Sequence, residues 1–363
     1  FALVGFPYTW KFVWSPIMDR FVPPFLGRRR GWMLVTQVTL LILIASFAAF
    51  NPQDNLLAII FLVAGIAFFS ASQDIVIDAY RREILPDDEL GVGNSYFMNA
   101  YKLSSLVPGS LAFVLADIYP WPVVNLVVAS FMVVGIVTTL IIDESSQEGW
   151  EPKTLRDAVI NPFVEFFSRR EVGASVAILL FMLLYKLGDN MATALETPFF
   201  IDLGFSMTQI GVIAKISKLW AAIFGSIVGG VVMIKLGINR SLWVFGFVQI
   251  LTILGYVALS IVGPDEFMLF VAVSLEYIGV GLGGVALLAF ISRLCNLHFT
   301  ATQFALLSSL VAVPRTFANA STGFIIEAVG YTQFFWICFF AAIPGMLMLL
   351  KVAPWNAPDD TRS

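Results

Sequence analysis

The chain has 363 residues, 59% of them hydrophobic and only 13% charged, with 34 phenylalanines and a formal net charge of −4. A water-soluble domain carries roughly 25% charged residues, so this composition excludes one. So small a net charge gives no footprint for nucleic acid, and the class expected is an all-α, multi-pass membrane protein.

Apolar runs long enough to cross ~30 Å of hydrocarbon lie at about 1–18, 32–50, 56–80, 94–115 and 123–142. They resume at about 172–201, 208–234, 243–262, 267–294, 301–329 and 334–352, which makes eleven candidate helices. Lys and Arg fall in alternate loops: Arg20 and Arg28–Arg30, then Arg81–Arg82, Lys153 to Arg170, Lys235 with Arg240, Arg293, and the tail with Lys351 and Arg362. The intervening loops near 51–55, 116–122, 202–207, 263–266 and 330–333 contain neither residue. Positive charge stays inside, so the first set and the C-terminus are expected in the cytoplasm. An odd helix count that starts outside, in mid-run, implies a missing first helix and twelve in the intact chain.

Residues 143–171 are the one credible linker. Asp143 to Gly149 is polar, and 153–168 places Leu155, Val159, Phe163, Phe166 and Phe167 among charges, the pattern of an amphipathic helix at a membrane surface. The expected domains are therefore a bundle over 1–142 lacking its first helix, the linker over 143–171, and a six-helix bundle over 172–363. The halves echo one another. Asp19-Arg20 to Arg30 has its counterpart in Gly225 to Arg240, and Lys102 and Arg315 sit at similar depth in corresponding helices. Such parallel repeats mark two bundles with a transport path between them.

Charge inside an apolar helix is costly and therefore informative. Asp74 and Asp78 are four apart and share one helix face. Asp78 lies near Arg81-Arg82, and its alternative reading is a salt-bridged helix end. Glu276 stands alone ahead of the run Gly279–Gly284; an isolated carboxyl in apolar surroundings disfavours its charged form and can hold a proton. Asp74 and Glu276 are thus candidates for proton coupling, with Asp78 and Asp189 beside them. Lys186 and Asp189, three apart, also read as a self-neutralising pair. The spacing Gly279-x-Gly281-x-x-Gly284 matches a dinucleotide fingerprint, but no strand precedes it, so packing or bending is the expected role. Cys295, Cys338 and His298 lack metal or disulfide spacing. No nucleophile–base, nucleotide or metal constellation appears, so neither an enzyme nor a cofactor is expected.

The acidic-then-basic loop Asp19-Arg20 … Gly27-Arg28-Arg29-Arg30 resembles the signature of the major facilitator superfamily, with Phe21–Leu26 as a long proline-containing insert. Trp14 to Arg20, Pro23 to Trp32, Ser70 to Asp74 through Asp78-Ala79, Leu184 to Asp189, and Phe299 to Ser308 together resemble the AmpG-like muropeptide permeases. The resemblance spans nearly the whole chain. It implies the facilitator fold of two six-helix bundles, and import of N-acetylglucosaminyl-anhydro-N-acetylmuramyl peptides across the bacterial inner membrane. The driving force implied is the proton gradient, by alternating access, in a monomer embedded in the bilayer. Asp19, Arg20, Arg28, Arg29 and Arg30 would then help latch the cytoplasmic mouth. A disaccharide with peptide carboxylates needs cations for its acids, which Lys102, Lys186 and Arg315 supply. It also needs amides or aromatics for its sugars, and Gln73, Tyr96, Asn99, Tyr101, Tyr185 and Asn190 are the candidates. Each aromatic also reads as packing or lipid-facing. Two other readings stay open: a related permease for a siderophore or an acetyl-CoA-like solute, and a membrane receptor that transports nothing.

Overall fold

The computed structural model describes residues 2–50, 54–145 and 152–356, with the side chains of 2–4 and 315–320 outside the described set. Residues 146–151 of the expected linker and Arg362 of the tail also lie outside it. Among the described residues all regular structure is helical. Seven helices there are long and apolar enough to cross a membrane: Arg28–Ala49, Leu56–Ile84, Trp121–Ile141, Val172–Leu203, Met207–Val262, Glu266–Leu294 and Tyr331–Val352. Their outer faces carry apolar side chains that water would not tolerate in such number, with Leu57 71% and Phe61 70% exposed. The chain is a multi-pass membrane protein.

Several expected spans are broken where the sequence supplies a breaker. The first run divides into Ala2–Trp10, a 3₁₀ turn Lys11–Val13 and Ser15–Arg20, with Pro16 opening the last piece. Leu90–Ser104 is followed by a π-helical turn Val107–Leu111 containing Pro108, and then by Ala112–Ala116. The run after the linker divides into Val172–Leu184, Leu187–Ala194 and Glu196–Leu203, with non-helical backbone at Lys186 and Leu195. Pro198 cannot donate to the carbonyl four residues earlier, which accounts for the second break. The loop expected over 235–242 is reduced to Gly237, whose φ of 74° separates two otherwise continuous helices within Lys215–Val262.

The helices gather into two compact units. The first contains residues 1–86, 103–166 and 295–309, and the second 87–102, 167–294 and 310–363, so the grouping follows space and not chain order. In the first unit Met18, Met33, Ile75, Val76 and Ala79 pack with Ala301 and Ala305. The proline insert lies directly on Gly31, where an added Cβ would come within 2.8 Å of the Phe25 carbonyl and Pro23. Trp32 Nε1 holds the start of the insert by donating to the Phe21 carbonyl at 2.7 Å. The expected linker helix is present as Leu155–Ser168, burying Ala158, Pro162 and Phe166 along one stripe.

In the second unit small residues let two helices approach closely, one glycine against a side chain and another against backbone. A Cβ on Gly229 would meet Val285 at 2.7 Å, and one on Gly281 would meet the Ala222 carbonyl at 2.6 Å. The glycine run of Glu266–Leu294 is therefore a packing face, the small-residue device of membrane helices. An aromatic core lies alongside, with the Phe199 and Phe335 rings 4.8 Å apart and Tyr256 fully buried.

Candidate functional site

In the first unit charge gathers at Arg29, which is fully buried. Its guanidinium donates to Asp19 Oδ1 at 2.9 Å and to Glu83 Oε1 at 2.6 and 3.0 Å. Arg28 lies 3.4 Å from the same Glu83 oxygen, and the Ser145 hydroxyl donates to the other at 2.6 Å. Asp19 faces two ways. Its second oxygen accepts from the backbone N–H and hydroxyl of Thr302 at 2.9 and 2.7 Å, capping the start of the helix Thr300–Val329. Glu144 caps another helix with both oxygens, accepting from the Arg29 and Arg30 N–H groups at 2.9 Å each. Arg30 turns its side chain to the Thr139 and Leu140 carbonyls at the end of Met132–Ile141. Of the five expected gate residues, four join this network. Arg20 does not; its guanidinium lies 5.6 Å over the Phe21 ring.

The linker helix closes on the same segment. Gln303 Nε2 donates to Glu165 Oε2 at 2.6 Å and to the Pro162 carbonyl at 3.0 Å. Asn296 Nδ2 donates to Glu165 Oε1 at 2.9 Å. Glu83, Glu144 and Glu165 were not singled out by sequence, and Thr302 and Gln303 entered only within the motif Phe299 to Ser308, with no role given to either. Their partners are tens to hundreds of residues away, beyond the reach of any spacing rule.

Farther along Leu56–Ile84, Asp78 is ion-paired with Arg81 at 2.8 Å and Lys11 at 3.7 Å. This is the salt-bridged alternative of the sequence reading. Lys11, Asp78 and Arg81 are the charges that act on Asp74. Gln73 Oε1 is buried without a hydrogen-bond partner among the described residues.

In the second unit Lys186 Nζ lies 2.5 Å from Asp189 Oδ2, and Gln249 Nε2 donates to that same oxygen. Glu276 is fully buried, and neither carboxyl oxygen finds a hydrogen-bond partner among the described residues. The charges acting on it are Asp189, Lys186 and Glu196. The Thr252 hydroxyl nearby donates to the Gln249 carbonyl. A pocket of about 300 Å³ opens beside this group, lined by Lys186, Asp189, Asn190, Thr193, Lys218 and Tyr277 among others. Lys218 is ion-paired with Glu196 Oε1 and lies 4.6 Å over the Tyr277 ring. Glu196 Oε2 accepts from the hydroxyls of Tyr277 at 2.8 Å and Tyr256 at 3.3 Å.

The other expected binding residues are placed differently. Tyr185 is buried and gives its hydroxyl to the Leu242 carbonyl at 2.9 Å, so it is held by packing. Asn99 is buried and accepts from the Ser226 hydroxyl at 2.7 Å. Lys102 Nζ donates to the Ala222 carbonyl at 2.8 Å, and Lys186 is the charge that acts on it. Tyr96 and Tyr101 are highly exposed. The Arg315 side chain lies outside the described residues. Glu196 was missed, although it continues the helical stripe Lys186, Asp189, Thr193 at the same periodicity.

Residues 6–318 match the family model described as Major Facilitator Superfamily. An uncharacterised protein of Haemophilus influenzae is 46% identical over 375 residues, covering 99% of this chain and 87% of the relative. The anhydromuropeptide permease of Escherichia coli K12 is 42% identical over 352 residues, covering 96% of this chain and 71% of the permease. Among solved structures, the human organic anion transporter MFSD10 superposes with a TM-score of 0.74 at 13% identity, covering 96% of this chain and 82% of that one, a likeness of fold alone.

Proposed function

Since the chain belongs to the Major Facilitator Superfamily and is a transporter, not an enzyme, we propose that it imports anhydro-muropeptides, driven by the proton gradient and by alternating access. The observation that carries the solute class is the 42% identity to a permease of that name over 96% of this chain. The chemistry of the site supports it. A solute with sugar hydroxyls and peptide carboxylates needs cations and hydrogen-bonding groups in a space shielded from lipid. The pocket at Lys186, Asn190 and Lys218 offers both.

The proton route we propose centres on Glu276 and Asp189. A buried ionised carboxylate without a partner is far more costly than a neutral acid, so Glu276 is suited to exchange a proton as its surroundings change. Asp189, itself paired with Lys186, is a carboxylate whose charge acts on it. Asp74 is a second candidate, set among Lys11, Asp78 and Arg81. The latch we propose is the Asp19–Arg29–Glu83 network with its bonds to Thr302. The orientation we propose puts that network and the C-terminus in the cytoplasm, in an inner-membrane protein.

The test is uptake of labelled N-acetylglucosaminyl-anhydro-N-acetylmuramyl peptide by vesicles that contain the protein. Accumulation that collapses when a protonophore is added supports the reading. Solute that enters no faster than in vesicles without the protein contradicts the substrate, and accumulation indifferent to the protonophore contradicts the coupling.

A further inference from the structure

The two lysines that line the pocket are held in different ways. Lys186 is drawn tightly onto Asp189, with side-chain exposures of 11% and 6%, and Gln249 fixes the same carboxylate oxygen. Lys218 is 43% exposed while its partner Glu196 is 13% exposed. Glu196 does not depend on Lys218 alone, because the Tyr256 and Tyr277 hydroxyls both donate to its other oxygen. If the ammonium swings away, the carboxylate keeps two donors. Lys218 therefore sits on a flexible stem, over an aromatic face, beside an open pocket and against a counter-ion that can stand without it.

We propose that this pocket is a carboxylate subsite, in which Lys218 is the specificity-determining cation and Glu196 the internal anion it leaves when an acidic end of the solute enters. The inference rests on the peptide-bearing solute proposed above and assigns its acidic groups to this place. Glu196 gives the exchange its selectivity. A neutral group cannot compete with it for the ammonium, whereas a carboxylate can, so amidated solutes lose the contact. Lys215, three residues earlier, is exposed and is not part of the pocket lining.

The experiment is equilibrium binding to the full chain in lipid nanodiscs, using an anhydro-muropeptide as the free acid and with its peptide carboxylates amidated. Wild type should favour the acid by about tenfold or more, the worth of one charge-assisted hydrogen bond. Lys218→Gln should close most of that gap while leaving the amidated form bound as before, and Lys218→Arg should restore part of it. Glu196→Gln should bind the acid more tightly by removing the internal competitor. Lys215→Gln should match wild type. A gap that survives in Lys218→Gln, or equal loss of both forms, overturns the inference and leaves the import reading intact. If Lys218→Gln does not fold, Glu196→Gln decides, and weaker binding of the acid there overturns it. Wild type that binds neither form refutes the import reading, and the subsite with it.

Discussion

Arg29 and Glu276 are both fully buried ionisable residues, yet their surroundings differ. Arg29 is met by Asp19 and Glu83, and those carboxylates are in turn met by Thr302, Arg28 and Ser145. Glu276 has no hydrogen-bond partner for either oxygen among the described residues, and the cation that acts on it, Lys186, is committed to Asp189. A network of matched charges is suited to hold one arrangement. An unmatched carboxyl is suited to change its state. On this difference rests our proposal that the first cluster latches and the second couples.

Breaking the matched cluster should have the largest effect. Arg29→Ala leaves Asp19 and Glu83 as buried anions without their main partner, at a cost of about 3–5 kcal/mol. Thermal unfolding of the purified protein should show a large fall in Tm, and an unchanged Tm would mean that the cluster holds nothing. Thr302→Val should cost less, about 1.5 kcal/mol, because the hydroxyl bond to Asp19 is lost while the backbone N–H bond remains. The same unfolding assay checks it, and a cost equal to that of Arg29→Ala would show that the cap outweighs the ion pairs. Arg20→Ala should change stability by under about 0.5 kcal/mol, since its guanidinium stacks on Phe21 and joins no ion pair among the described residues. A larger loss would place it in the latch after all.

The contrast between the clusters was only half legible in the sequence. Glu276 could be found, because a lone carboxyl in an apolar run is a local signal, and so could the Lys186–Asp189 pair three residues apart. Most of the spans were legible from length and apolarity, although the runs at 1–18 and 94–115 are divided near Pro16 and Pro108, and the packing role of Gly279–Gly284 was legible from its setting in a helix. The pairings within the Arg29 cluster were not. Glu83 lies 54 residues from Arg29, and Thr302 lies 283 from Asp19, so only folding brings them together. The short break at Gly237 was also hidden, because charged Lys235 and Arg240 suggested a loop where one left-handed residue suffices. Glu196 was legible in principle, one heptad beyond Asp189, but the break at Leu195 interrupts the stripe.

Whether the unmatched carboxyl carries the proton, and the matched cluster does not, is tested most directly by Glu276→Gln. The substitution keeps the shape of the side chain and removes only its ability to ionise. The measurement is muropeptide uptake into vesicles under an imposed proton gradient, set beside solute exchange with no gradient in the same preparation. Proton-driven accumulation should be lost while exchange persists, with stability within about 1 kcal/mol of wild type. Accumulation at the wild-type level would contradict the assignment of coupling to Glu276.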